Sequence, residues 1–87
     1  MKIEYHKQFR KHYQKRIAHN PALVKRFVER LRTLQIDLDD PSLRNHELMG
    51  DKIGYRAFSV TGDIRVVYKI EGEDIRLYDI SSHNQVN

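Results

Sequence analysis

The strongest constraint on this chain is a change of hydrophobic period near its middle. From His6 to about His19 the apolar positions Phe9, Tyr13 and Ile17 recur every four residues, the spacing of one helical face. Asn20-Pro21 then punctuates, because Asn is a good helix N-cap and Pro is tolerated at the first helical position. A second helix follows, with Leu23, Val24, Phe27, Val28, Leu31, Leu34 and Leu38 on one stripe and basic residues opposite. Asp39-Asp40-Pro41 ends it, since proline cannot continue a helix and disfavours helical geometry before it. Beyond a loop rich in Asn, Ser and His the period falls to two. Tyr55 to Val60, Ile64 to Ile70 and Ile75 to Ile80 read as strands, separated by the turn sequences Thr61-Gly62-Asp63 and Glu71-Gly72-Glu73-Asp74. Lys2 to Tyr5 reads as a short first strand, and Leu48 to Lys52 adds another or leads into one. The pattern predicts an α+β fold of order β-α-α-β-β-β(-β). Its three- to four-stranded antiparallel sheet carries a helical hairpin on one face.

Eighty-seven residues bury one core, so residues 1–87 are read as a single domain. The chain has no cysteine, which excludes disulfides and thiolate metal sites and suits a reducing compartment. No apolar run approaches the roughly 18 residues a membrane span requires. The opening Met-Lys-Ile-Glu-Tyr-His lacks the apolar stretch of a signal peptide. These features predict a cytoplasmic protein with no membrane contact.

The net charge of +4 hides an asymmetry. Residues 6–32 carry nine Lys and Arg, Lys11 and Arg16 among them, against the single acid Glu29; the rest holds seven bases and eleven acids. A basic surface of this kind suits a polyanion, because each phosphate neutralised releases counterions. It suits an acidic protein partner equally, and the bland reading is a solvated helix face.

In the central strand Ile64, Val66, Tyr68 and Ile70 share one face, and Arg65, Val67 and Lys69 the other. If the apolar face packs on the helices, Arg65 projects from the open face. On the last strand Arg76, Tyr78 and Ile80 alternate with Ile75, Leu77 and Asp79, and the pattern leaves open which set faces inward.

Most nucleophilic and metal chemistry can be set aside: there is no Gly-x-Ser-x-Gly, no phosphate-cradling glycine loop and no His-Glu-x-x-His. What remains is His, Arg, Lys, Asp and Glu on a basic scaffold, the groups a metal-free ribonuclease uses. RNA carries its own nucleophile, the 2′-hydroxyl. The protein then supplies a base, an acid and cationic stabilisation of the phosphorane. Histidine suits either proton role and the arginine fork suits the third. The bland readings are a loop histidine at His46, a solvated histidine at His83, an Arg65 paired with Asp63 or Asp79, and a turn residue at Asp63. His6, His12 and His19 read as surface, and Tyr55, Tyr68 and Tyr78 as core or sheet-face residues. A zinc site on His46 and His83 has too few ligands for that metal.

Four segments then carry a resemblance: Leu43-Arg44-Asn45-His46-Glu47-Leu48-Met49-Gly50, Gly54-Tyr55-Arg56-Ala57-Phe58-Ser59-Val60, Asp63-Ile64-Arg65-Val66-Val67-Tyr68 and Ser81-Ser82-His83-Asn84-Gln85-Val86. In order and spacing they closely resemble the C-terminal half of RelE/YafQ toxins, within the RelE/ParE superfamily; with the two basic helices the resemblance covers essentially the whole chain. It implies a RelE-like fold and the toxin of a type II toxin-antitoxin system: a ribosome-dependent, metal-free endoribonuclease that cuts mRNA in the ribosomal A site and needs no cofactor. It implies a cognate antitoxin as partner, with operator DNA reached through the antitoxin complex. By position, Arg65 holds the scissile phosphate, His83 is the general acid, His46 is a candidate base, and Asp63 orients a histidine or acts as base itself. Lys52 and Arg56 are candidate RNA-backbone contacts, with Lys11 and Arg16 on the basic surface. Two departures stand out. Ser59 replaces a further histidine of the YafQ subgroup, and Asn87 stands where many relatives have an aromatic residue suited to stacking on a base. The rival readings are a non-enzymatic toxin resembling ParE, which poisons DNA gyrase, and a catalytically weakened homologue that still binds antitoxin.

Overall fold

A computed structural model describes residues 2–82; Met1 and residues 83–87 lie outside that range. Strand β1 (Ile3–Tyr5) leads into helix α1 (Lys7–Arg16) and, through a tight corner, into helix α2 (Pro21–Ile36). Strands β2 (His46–Glu47), β3 (Arg56–Ser59), β4 (Ile64–Glu71) and β5 (Asp74–Ser82) follow, with single 3₁₀ turns at Pro41–Leu43 and Gly50–Lys52. The α+β class and the order of elements match the expectation from the sequence.

The helices begin where their caps place them. The His6 ring accepts from the Gln8 amide at 3.3 Å, and Asn20 Oδ1 accepts from the amides of Ala22 and Leu23 at 3.1 and 3.3 Å ahead of Pro21. Losing a side-chain cap of this kind costs about 1 kcal/mol. Asn20→Ala is therefore expected to lower the unfolding free energy by about that amount, read as a shift in urea midpoint with unchanged slope. Helix α2 stops at Ile36, two residues short of the expected end, because Asp37 is already extended. Leu38 still packs against the core from outside the helix.

The sheet runs β1-β5-β4-β3-β2: four antiparallel strands, the upper end of the expected count, with the N-terminal strand joined to them as a fifth. The edges are β1, which pairs parallel with β5 (Ile3 opposite Ile75, Tyr5 opposite Leu77), and the two-residue β2, which pairs with β3. The short strand expected over Leu48 to Lys52 lies two residues earlier. Gly50 and Gly54 take positive φ (71° and 93°), which curls the intervening chain into a 3₁₀ turn instead of a strand.

Strand β4 alternates as its sequence reads: Val66 and Tyr68 are fully buried, with Ile64 and Ile70 packed beside them. Strand β5 does not. Val67 lies opposite Asp79 but Tyr68 lies opposite Leu77, so Tyr78 is an extra residue, a β-bulge. The bulge changes the parity of the strand, and Ile75, Leu77 and Ile80 all reach the core. They meet Phe9, Ile17, Phe27, Leu31 and Leu34 of the hairpin together with Leu43, Phe58 and Val60. Phe9 links the layers, stacked on Tyr13 and tilted against Phe27 at ring separations of 5.7 and 5.8 Å. Each such fully buried side chain contributes about 1.5–3 kcal/mol. The helices cover one face only, and the other is left as a platform. No helix among the described residues is long and apolar enough to cross a membrane.

Candidate active site

On the open face the loop from β2 to β3 folds over the sheet and closes a cleft of about 390 Å³. Its walls are His46, Leu48, Met49, Asp51 and Lys52 from the loop side and Ala57, Arg65, Val67 and Ser81 from three adjacent strands. The register explains the convergence. Arg65 lies opposite Ser59 on one side and Ser81 on the other, and His46 lies opposite Ala57. Residues paired across antiparallel strands project to the same face.

Arg65 is half-buried, and its Nε is shielded from solvent without a hydrogen-bond partner among the described residues. Among the described residues it makes no ion pair with Asp63, Asp79 or any other acid. A shielded guanidinium nitrogen left unpaired is costly, and such a fork can donate to an anion. Asp79 is engaged elsewhere. It pairs with His12 across from α1, and its Oδ1 also accepts from the Ile80 amide at 2.7 Å. His12, expected on the surface, is thus half-buried and ties α1 to the sheet at the bulge.

The His46 ring is held by its own loop. A carbonyl oxygen can only accept, so Nδ1–H donates to the Arg44 carbonyl at 2.9 Å. In a neutral ring so held the lone pair lies on Nε2, the nitrogen a general base would use.

The remaining candidates fall into three groups. Lys52 joins the cleft and also lines an adjoining hollow of about 300 Å³ with His6, Tyr55, Tyr78 and Asp79. Asp63 is exposed on the β3–β4 turn and is not part of the cleft wall; its neighbour Thr61 accepts from the Asp63 and Ile64 amides and shapes the turn. Lys11 and Arg16 sit on α1 and do not line the cleft.

Arg56 is on the other side of the sheet from Arg65. It lies opposite buried Tyr68, donates through Nε to Asn45 Oδ1 at 3.0 Å and pairs with Glu47 at 3.3 Å. Burial pushes the Tyr68 hydroxyl pKa up, and the neighbouring Arg56 opposes that rise. Arg56 therefore belongs to the edge of the core, apart from the cleft. His83 lies outside the described residues, one position beyond Ser82. Reading the sequence alone missed Asp51, Met49 and Ser81. Met49, 88% exposed at the cleft mouth, is a large apolar side chain that no core explains.

Comparison with known proteins agrees with this architecture. The family model described as "Bacterial toxin of type II toxin-antitoxin system, YafQ" matches residues 1–87. The YafQ crystal structure from E. coli strain BL21(DE3) superposes with a TM-score of 0.71 at 29% identity, covering 95% of this chain and 93% of that one. A YoeB/ParE toxin from Agrobacterium tumefaciens gives 0.81 at 19% identity over 95% and 99% of the two chains. The toxin in a YoeB-YefM complex from Staphylococcus aureus gives 0.79 at 19% over 95% and 97%. These last two bear on the fold alone. No curated protein matches the sequence. The chain belongs to the YafQ family of bacterial toxins of type II toxin-antitoxin systems.

Proposed function

We propose that this toxin cuts messenger RNA in the ribosomal A site, using the RNA's own 2′-hydroxyl as nucleophile, and that a cognate antitoxin holds it in check. The observation that carries the reading is the pairing, in one cleft, of an arginine fork with no carboxylate partner among the described residues and a histidine held through Nδ1.

His46 Nε2 takes the 2′-proton as the oxygen attacks phosphorus. Arg65 meets two non-bridging oxygens as negative charge builds on the phosphorane. The P–O5′ bond breaks, and His83, assigned by resemblance to the family, gives a proton to the departing 5′-oxygen. The products are a 2′,3′-cyclic phosphate and a 5′-hydroxyl. No metal or cofactor enters this scheme, because the substrate brings the nucleophile and the cleft brings the positive charge. Lys52 steadies the neighbouring backbone, and the basic face of α1, with Lys11 and Arg16, meets ribosomal RNA. Asp63 is outside the cleft wall, which favours His46 over it as base.

The partner reading follows from similarity to the S. aureus toxin described in complex with YefM. A disordered acidic segment wrapping the basic helices suits the charge asymmetry. The antitoxin complex, in turn, is the species that reaches operator DNA. The setting is the cytosol, where messages are translated.

Incubation with programmed ribosomes tests the reading. Cleavage mapped with 5′-end resolution is expected at the A-site codon, leaving 5′-hydroxyl ends. An intact message with inhibited DNA supercoiling would instead support ParE-like gyrase poisoning, and no growth arrest on expression alone would mark a weakened homologue.

A further inference from the structure

A second basic recess, about 140 Å³, opens at the β3–β4 end of the sheet. Arg26 and Arg30 of α2, Arg44, Ser42, Ser59, Thr61 and the Gly62 backbone form it. Three arginines line it, and among the described residues none has an acid within ion-pair distance. The Arg30 Nε is shielded from solvent with no hydrogen-bond partner among the described residues. Asp40 accepts from the Ser42 amide and hydroxyl at 2.9 and 2.7 Å; those bonds, with a smaller contribution from the charge of Arg30, hold its carboxyl below the usual carboxylate range, but it makes no ion pair with Arg30. Like charges four residues apart on a helix, as Arg26 and Arg30 are, mildly destabilise it. Arg44 adds a left-handed backbone (φ 47°), uncommon for a residue with a side chain. Three unfavourable local choices meet in one small polar recess, and a bound anion would relieve two of them.

We infer that this recess is a phosphate-binding subsite for a polynucleotide backbone, distinct from the cleft of His46 and Arg65 and continuous with it. Two links join the sites. Ser59 lies in the recess while its cross-strand partner Arg65 lies in the cleft. Arg44 lines the recess while its carbonyl holds the His46 ring. A strand seated on Arg65 therefore runs off the end of the sheet toward the three arginines.

The chemistry favours a phosphodiester over an acidic protein segment. Among the side chains lining the recess the only apolar one is Val60, which is fully buried, so a peptide finds nothing apolar to seat against. The apolar groove lined by Tyr5, Tyr13 and Val28 is a separate feature. A tetrahedral phosphate meets forks from several directions at once. Naming RNA as the ligand rests on the nuclease reading above; holding a backbone phosphate does not require that the chain be cut.

The test therefore uses a substrate that cannot react, a fluorescent 2′-O-methyl oligoribonucleotide, with binding to the full-length protein read by anisotropy at several salt concentrations. Arg26→Ala/Arg30→Ala keeps the helix, removes the like-charge pair and leaves the Arg44 carbonyl in place. It is expected to weaken binding about tenfold or more at low salt, as loss of charge-assisted hydrogen bonds does. The slope of log affinity against log salt should become shallower by about 0.7, the value for one single-strand phosphate. Arg32→Ala, on the same helix but outside the recess, is expected to stay within twofold of wild type. Wild-type affinity and slope in the double variant would overturn the inference, as would an equal loss in Arg32→Ala. Two further arms separate the sources of anion. Inorganic phosphate that shifts the Arg30 side-chain resonance where the oligonucleotide does not would make the recess a free-anion site. A glutamate-rich peptide whose binding falls in the double variant while that of RNA holds would reassign the recess to an acidic protein. Either result overturns the subsite. Loss of RNA binding in the double variant supports it even if programmed ribosomes leave the message whole.

Discussion

Arg65→Ala is expected to lower the rate of message cleavage on programmed ribosomes by about 10²-fold or more, the usual cost of removing a group that stabilises charge in the transition state. The fold is expected to survive. Among the described residues Arg65 supports no ion pair and its Nε has no hydrogen-bond partner, so its removal abandons no native contact of that kind there. The thermal midpoint should hold or rise, because truncating a shielded, unpaired donor ends a desolvation cost. This combination of a collapsed rate with undiminished stability is what separates a functional arginine from a structural one. Arg56→Ala is the natural contrast. That side chain is tied to Asn45 and Glu47 beside buried Tyr68, so it should show the reverse pattern in stability. Arg65→Lys keeps the charge and loses the fork, and is expected to fall between wild type and Arg65→Ala. A wild-type rate in Arg65→Ala would take the scissile phosphate away from this residue.

The contrast between the two arginines also shows how far the sequence could be read. The strict alternation of β4 placed Arg65 on the open face, and the structure agrees. Arg56 reads from the sequence as a candidate RNA-backbone contact beside Lys52, with nothing to say which face it takes. The decisive fact is that Arg56 lies opposite Tyr68, a core residue, and pairing register is not visible in a single strand's pattern. The inward face of β5 stayed open for a related reason. One inserted residue, Tyr78, changes the parity of the strand halfway, so neither alternating set is the buried one. Local pattern likewise gave β1 as a strand but not its parallel partner 72 residues away (Ile3 with Ile75).

At the cleft, residue types were legible and company was not. His46 and Arg65 stand out as the chemistry a metal-free ribonuclease needs, yet Asp51 and Met49 come from a segment that reads only as a weak strand. The signal available was the pair Gly50 and Gly54, whose positive φ values make the loop curl back over the sheet. His12 lies among lysines and arginines and so reads as surface, yet its position next to Tyr13, three residues after Phe9, places it beside the face that packs on the core.

The second large effect is expected at His46. If Nε2 takes the 2′-proton, His46→Ala should slow cleavage by about 10²–10⁴-fold, the range for loss of a positioned acid–base group. Stability should change little, since the bond from Nδ1 to the Arg44 carbonyl is exposed and water can replace it. Truncation to alanine also leaves room beside the cleft, so free imidazole is expected to restore part of the rate, and it should do nothing for Arg65→Ala. A double variant should be scarcely slower than the worse single one, because base and phosphate clamp act on the same step. Asp63→Asn sets the alternative. With its carboxyl on an exposed turn outside the cleft wall, this change is expected to leave the rate within a few-fold of wild type. If His46→Ala instead cuts at the wild-type rate while Asp63→Asn does not, the proton leaves by the turn carboxylate. The cleft would then bind the message without starting the reaction.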